Sequence, residues 1–242
     1  MNYNKIDNKA CYCKYIAVVL FSFLYFTIDA QTTLKVVSNS KEYRQQVKQD
    51  SLHRMVLLHQ YVPGLQYDLR YATTNNFMHR LMYPGSVDYT FLRLPAARAL
   101  DSVQQSLSKQ GLGIKVFDAY RPYAVTVNFW ELVKDERYVA NPAKGSGHNR
   151  GLAVDLTIIN ILSGDALNMG TDFDNFSDTA HHSFTHLPEE VLRNRNLLKT
   201  TMERYGFKAL ETEWWHFSFP NTRQYDVLDI GFRELKKLSS KN

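Results

Sequence analysis

Cysteine is almost missing from this sequence: Cys11 and Cys13 are the two it has, and both lie near the start of the chain. Beyond them there is no disulfide framework, no thiol nucleophile and no thiolate to bind a metal. Charge is not concentrated either. The formal net charge is +5, yet there is no dense basic run and no arginine-rich stripe, so nucleic-acid binding lacks its electrostatic footprint. Internal repeats and low-complexity linkers are absent. A chain of 242 residues has room for one domain with a sizeable core, and two would be cramped. No apolar run reaches the roughly 20 residues of a spanning helix.

The run that comes nearest is 15–28, YIAVVLFSFLYFTI, preceded by Lys5, Lys9 and Lys14 and followed by Asp29 and Ala30. A basic stretch, an apolar stretch and a small residue at the cut form the layout of a secretory signal. We expect residues 1–30 to be a signal peptide removed after Ala30. That leaves 31–242 as one exported, periplasmic domain with no membrane association, and an uncleaved anchor is the alternative. No cysteine follows the run, which argues against a lipoprotein anchor. A cysteine-free chain also suits an oxidising compartment.

Hydrophobic spacing then sketches the fold. A peripheral helix is expected around 41–49, a turn and strand over 62–71, and a loop with short strands over 72–90. A helix over 95–110 has Pro95 in its first turn, Gly111 at its stop, and Leu100, Val103 and Leu107 on one face. Further expectations are a buried strand over 113–119, a helix over 124–139, a strand over 151–159, a helix over 188–205 stopped by Gly206, and an aromatic strand over 213–219. On the 151–159 strand, alternation sets Leu152 and Val154 opposite Ala153 and Asp155. Helices alternate with irregularly clustered strands, which predicts an α+β fold: a small, mainly antiparallel sheet packed by helices.

Three segments carry chemistry: SGHNRGLAVD over 146–155, EWWH over 213–216 and DAYRP over 118–122. A catalytic zinc without thiolates takes three nitrogen or oxygen ligands and keeps one open position. His148, Asp155 and His216 supply two imidazoles and one carboxylate, a set whose net charge would let zinc acidify water. Gly147 and Gly151 permit a tight turn between the first two. Glu213, three residues before His216, can reach a metal-activated water as general base. Arg121 ends a predicted strand and can meet a developing oxyanion, or it can simply pair with Asp118.

Together these segments resemble the D-alanyl-D-alanine dipeptidases of the vancomycin-resistance type, a branch of the zinc D,D-peptidases. Tyr67-Asp-Leu-Arg-Tyr-Ala-Thr73, Asn75-Asn76-Phe77, Met169-Gly170, Phe173-Asp174 and His181-His182 extend the likeness in order from about 62 to 219. The resemblance implies one zinc per chain on His148, Asp155 and His216, with Glu213 as base and Arg121 as transition-state stabiliser. It implies Ser146 and Asp174 at the ammonium end of a D-Ala-D-Ala substrate, and a zinc D,D-peptidase-like fold. The neighbouring reading is a D,D-carboxypeptidase or endopeptidase acting on peptidoglycan stem peptides. Met78-His79-Arg80 departs from the family, which often has Gly there, and residues 231–242 run past the matched region.

Simpler roles stand beside these. Ser146 can cap its loop, Asp174 can belong to a turn, and Trp214 and Trp215 suit packing and pocket wall. Adjacent His181 and His182 point to opposite faces if the chain is extended, which disfavours a shared ion. Tyr83 is a weaker pocket candidate. An exported enzyme would not reach a cytoplasmic dipeptide pool, so the expected role is turnover of wall-derived dipeptide.

Overall fold

The computed structural model of the protein describes residue 1 and residues 34–239. The chain divides into two units, Met1–Thr33 and Leu34–Asn242. Apart from Met1, the signal-peptide expectation for 1–30 lies outside the described residues.

In chain order the elements of the second unit are β1 (Val36–Val37), α1 (Ser40–Gln49), β2 (Met55–Leu57), α2 (Leu58–Tyr61), β3 (Gln66–Tyr67), β4 (Phe91–Arg93) and α3 (Leu94–Ser108). Then come β5 (Leu112–Asp118), α4 (Tyr123–Val133), β6 (Ala153–Asn160), α5 (Glu189–Arg204), β7 (Lys208–Leu210), β8 (Glu213–Ser218), β9 (Val227–Leu228) and α6 (Phe232–Ser239). The main sheet has the order β3-β5-β6-β8-β7. Only β3 and β5 run parallel in it, and the other three pairings are antiparallel. The fold is α+β with a small, mainly antiparallel sheet, as the spacing predicts.

β6 sits at the centre, with every residue from Ala153 to Ile159 buried. A strand covered on both faces reads as a continuous apolar run, and AVDLTII is such a run apart from Asp155 and Thr157. α3 packs on β5, and α5 packs on β7 and β8. On α3 the stripe Leu100, Val103 and Leu107 is fully buried. Register then assembles the polar residues. Asp118 of β5 pairs with Asp155 of β6, and Asp155 pairs with His216 of β8. Directly paired residues share a face of the sheet, so three polar side chains form one row across three strands.

Two expectations change, and one element appears where none is predicted. The helix expected over 124–139 ends at Val133, with Lys134 left-handed at φ 50°. Asp135 explains the stop: its Oδ1 accepts the Arg137 N–H at 3.0 Å, a local turn that competes with helix. Residues 72–90 contain no strand. Asn76 holds the start of that stretch as turns, its Nδ2 donating to the carbonyls of Arg70, Thr73 and Arg80. Near the C-terminus, Phe232–Ser239 form α6, which buries Phe232, Leu235 and Leu238. Phe232 packs among Tyr83, Tyr89, Phe91 and Tyr120.

Candidate active site

The loop between α4 and β6 brings His148 to the row. Gly151 makes this possible with φ +68°, a conformation that favours glycine. At Gly147 a Cβ would lie 2.9 Å from the Ala153 Cβ, so the loop closes tightly on β6. Asn149, fully buried, fastens the loop on three sides. Its Oδ1 accepts the Ser146 N–H, and its Nδ2 donates to Arg121 O at 2.9 Å and Thr126 Oγ1 at 2.8 Å.

His148, Asp155 and His216 converge, their ligand atoms all within 4.8 Å of one another. His216 Nδ1 lies 2.8 Å from Asp155 Oδ1, and His148 Nε2 lies 3.4 Å from Asp155 Oδ2. His148 Nδ1 sits 2.7 Å from Ala119 O. A carbonyl only accepts, so the proton belongs on Nδ1 and the Nε2 lone pair turns to the cluster. His216 Nε2 meets Ser218 Oγ at 3.1 Å, which leaves Nδ1 as the inward nitrogen. Those two inward nitrogens are 3.3 Å apart. Three potential ligand atoms gathered this closely call for a cation, and two imidazoles with one carboxylate suit zinc once the His216 Nδ1, hydrogen-bonded to Asp155, gives up its proton. The residues fit the ion. Burial opposes ionisation of Asp155, but the two imidazoles outweigh it and hold the carboxyl below its ordinary range. Burial likewise opposes the His216 cation, and Asp155 outweighs it, so the imidazole titrates above its usual value.

The other expected site residues surround this cluster in a cavity of about 250 Å³ lined by Arg121, Ser146, Asp174, Glu213 and the three candidate ligands. Glu213 Oε2 stands 3.9 Å from His216 Nδ1. Burial first, and then the Asp155 charge, push its carboxyl above the ordinary range, against the pull of the imidazoles and Arg121. Arg121 donates from Nη2 at 2.8 Å and Nε at 3.2 Å to Asp118 Oδ2. Its guanidinium lies over the rings of Tyr71 and Phe129. Pairing with Asp118 and lining the cavity are therefore both true of Arg121. Burial disfavours its charge, and Asp118 more than restores it.

Asp174 is left-handed at φ +60°. Its Oδ1 accepts the Tyr71 hydroxyl at 3.1 Å, and its Oδ2 is buried with no hydrogen-bond partner among the described residues. Burial and the Asp155 charge raise its carboxyl well above the usual range. Ser146 caps the loop through the Asn149 N–H at 3.1 Å and also lines the cavity. Trp215 is buried and forms wall, while the Trp214 indole N–H donates to Thr171 Oγ1 at 2.8 Å. His181 and His182 stay outside the only candidate metal cluster among the described residues. Tyr83 does not line the cavity; its hydroxyl donates to Asp118 Oδ1 at 2.7 Å.

Sequence reasoning assigned no role to Tyr71, which touches both Asp174 and Arg121. The matched YDLRYAT stretch contained it, but nothing local marks a tyrosine as a bridge. Wall aromatics Phe77, Phe129, Tyr138 and Phe176 were likewise unassigned, and they reach the cavity only through tertiary packing.

Two imidazoles and a carboxylate beside an unligated glutamate and a buried arginine define a zinc metallopeptidase. The family model described as D-ala-D-ala dipeptidase matches residues 51–233, and the chain belongs to that family. It is 33% identical over 166 residues to the D-alanyl-D-alanine dipeptidase of Escherichia coli (strain K12), covering 69% of this chain and 84% of that one. It is 29% identical over 178 residues to the D-alanyl-D-alanine dipeptidase of Enterococcus faecium, covering 66% and 88%. Among solved structures it is similar to the vancomycin resistance D,D-dipeptidase VanXYg in complex with a D-Ala-D-Ala phosphinate analog. That likeness has 18% identity and a TM-score of 0.34, covering 70% of this chain and 66% of that one.

Proposed function

We propose that this protein hydrolyses the dipeptide D-alanyl-D-alanine to D-alanine with one zinc ion held by His148, Asp155 and His216. The observation that carries the reading is the convergence of those three ligands at a small cavity whose wall also holds Glu213, Arg121 and Asp174. A cavity of about 250 Å³ falls below the roughly 300–1,000 Å³ of pockets for drug-sized ligands, as a dipeptide site should. Zinc there would supply Lewis-acid chemistry, acidifying water and polarising the scissile carbonyl. Glu213 takes a proton from water and passes it to the leaving amine. Its raised carboxyl favours the first of these transfers, because a weaker acid is a stronger base. Arg121 lines the cavity and offers guanidinium donors to the oxyanion. Asp174 and Ser146, both in the cavity wall, hold the substrate ammonium.

A second cleft of about 400 Å³ adjoins the cavity and shares Glu213, Tyr138 and Phe176 with it. That contiguity favours one further reading, a D,D-carboxypeptidase or endopeptidase acting on longer peptidoglycan stem peptides. The test is D-alanine release by the zinc-loaded protein from D-Ala-D-Ala, N-acetyl-D-Ala-D-Ala and L-Ala-L-Ala. Hydrolysis of the free D,D-dipeptide alone supports the dipeptidase. Preference for the acetylated substrate overturns it in favour of the second reading.

The cellular setting rests on the sequence. A basic, apolar, small-residue order over 1–30 supports export and cleavage after Ala30, and hence turnover of wall-derived dipeptide in the periplasm. N-terminal sequencing of the protein from fractionated cells tests this: an intact residue 1 in the cytoplasm would overturn it.

A further inference from the structure

Arg195 of α5 is 4% exposed, and no carboxylate pairs with it among the described residues. Burying a guanidinium without a counter-charge is costly, and burial alone presses its charge downward. Its donors go to backbone carbonyls instead. Nε donates to Met169 O at 2.7 Å and Nη1 to His181 O at 3.2 Å, while Nη2 is buried without a partner among the described residues.

Those two carbonyls bracket the segment that carries Asp174. Between Met169 and Ser177 the segment has no helix or strand of its own, so no ladder of backbone bonds fixes its shape. It is held from outside. Asn194, beside Arg195, donates to Asn168 O at 2.9 Å. Gly170 is left-handed at φ +81°, and a Cβ there would lie 2.8 Å from Val191 Cγ1, so the segment lies hard against α5. Trp214 holds Thr171, and Arg70 reaches Asp172 at 3.2 Å. Asp174 itself occupies left-handed backbone, which a non-glycine residue adopts at a cost.

We propose that Arg195 is the positioning residue of the substrate-binding segment, clamping Met169 and His181 so that the Asp174 carboxyl stays fixed in the cavity wall to meet the substrate ammonium. The role assigned to Asp174 rests on the dipeptidase reading. The planar fork of arginine explains why this residue is used: it offers donors in fixed directions and can span two carbonyls. A lysine ammonium is a compact point donor and cannot span both in the same way. A site residue must be held to within about 0.5 Å to keep its full effect, and misplacement by about 1 Å can cost on the order of a hundredfold.

The experiment uses the full, zinc-loaded chain carrying Arg195→Met, Arg195→Lys, Asp174→Asn or Arg195→Met with Asp174→Asn. Two substrates are compared, D-Ala-D-Ala and N-propionyl-D-alanine, in which hydrogen replaces the ammonium. Amide hydrogen exchange over 169–181 is followed in parallel. Both Arg195 variants are expected to raise KM for the dipeptide by about tenfold to a hundredfold, with a smaller change in kcat. Preference for the ammonium-bearing substrate should collapse. The double variant should lose little beyond Asp174→Asn, because both changes act on one contact. Exchange over 169–181 should quicken. If both Arg195 variants melt at lower temperature but keep wild-type KM and preference, Arg195 is only structural and the proposal is overturned. Independent, fully multiplying losses in the double variant overturn it too. Should the wild-type chain fail to cleave the dipeptide, the dipeptidase reading falls, and unchanged exchange at 169–181 would still overturn the clamp.

Discussion

Asp118→Asn isolates the ion pair beneath the site. The carboxylate is fully buried. It accepts the Tyr83 hydroxyl at 2.7 Å on Oδ1 and the Arg121 Nη2 and Nε at 2.8 and 3.2 Å on Oδ2. Asparagine keeps the shape and can keep an oxygen toward Arg121, with Tyr83 then turning its hydroxyl oxygen to the amide. What disappears is the counter-charge of a buried guanidinium. Breaking a buried pair from one side costs about 3–5 kcal/mol. The rings of Tyr71 and Phe129, about 5 Å from the guanidinium, offset part of that through cation–π attraction. The expected loss of unfolding free energy is about 2–4 kcal/mol, read from guanidinium denaturation of the zinc-loaded chain. Zinc content should stay near wild type, because Ala119 O at 2.7 Å fixes the His148 tautomer and Asp118 stands off at 3.7 Å. A variant within about 0.5 kcal/mol of wild type, or one that sheds zinc while keeping its stability, would refute the reasoning.

Glu213→Gln should retain zinc by metal analysis and lower kcat by about two to four orders of magnitude; near-normal turnover would remove Glu213 from the role of base. Gly151→Ala forces a left-handed alanine, at roughly 1–2 kcal/mol, and drives its Cβ to 2.5 Å from Met55 Cε. Its melting temperature should fall by several degrees, and an unchanged value would mean that the loop relaxes freely. His182 is held down to about 4, chiefly by burial and then by the Lys199 charge. A depressed histidine favours folding above its unfolded value and loses that contribution as pH falls toward 4. His182→Leu should therefore lose less stability than wild type between pH 7 and pH 4, and parallel curves for the two would contradict this. Titrating zinc into the metal-free chain in two buffers of different ionisation enthalpy should show proton release, since Glu213, Asp174 and His216 all titrate above their ordinary values. Equal heats in both buffers would count against it.

Legibility in the sequence followed periodicity and motif. The candidate ligands His148, Asp155 and His216 were readable as a group because their chemistry is carried by residue type and spacing, and the sheet register then sets Asp155 beside His216. The α3 stripe and the buried run of β6 were readable for the same reason. What was hidden is nonlocal or depends on a single side chain. Asp135 ends α4 by one local hydrogen bond, against a helical pattern that continues. Asn76 organises the turns around it by spending its amide on three carbonyls. α6 lies beyond the recognisable motifs, yet its Phe232 joins an aromatic cluster that includes Tyr120 from the DAYRP segment. Arg195 had no motif at all, since its partners are backbone carbonyls, which any sequence supplies.

Charge balance ties the separate parts of the site together. Four carboxylates meet around the cavity, those of Asp118, Asp155, Asp174 and Glu213, with Arg121 as the fixed cation among them. Ionised together they would leave the site short of three positive charges in a low-dielectric setting, which a folded chain does not tolerate. Burial first, and the neighbouring carboxylate charge after it, hold the Glu213 and Asp174 carboxyls high, so that without added cations protons meet the deficit. A divalent ion on His148, Asp155 and His216 offsets two of the three charges, and an ammonium against Asp174 offsets the last. The same groups that make the metal-free site hold protons would thus make the loaded site select a positively charged amino end. On the dipeptidase reading, a longer peptide would bring a neutral amide to that position, and Asp174 would have to keep its proton to receive it. Preference for a free amino end would then rest on charge balance as well as on the size of the cavity.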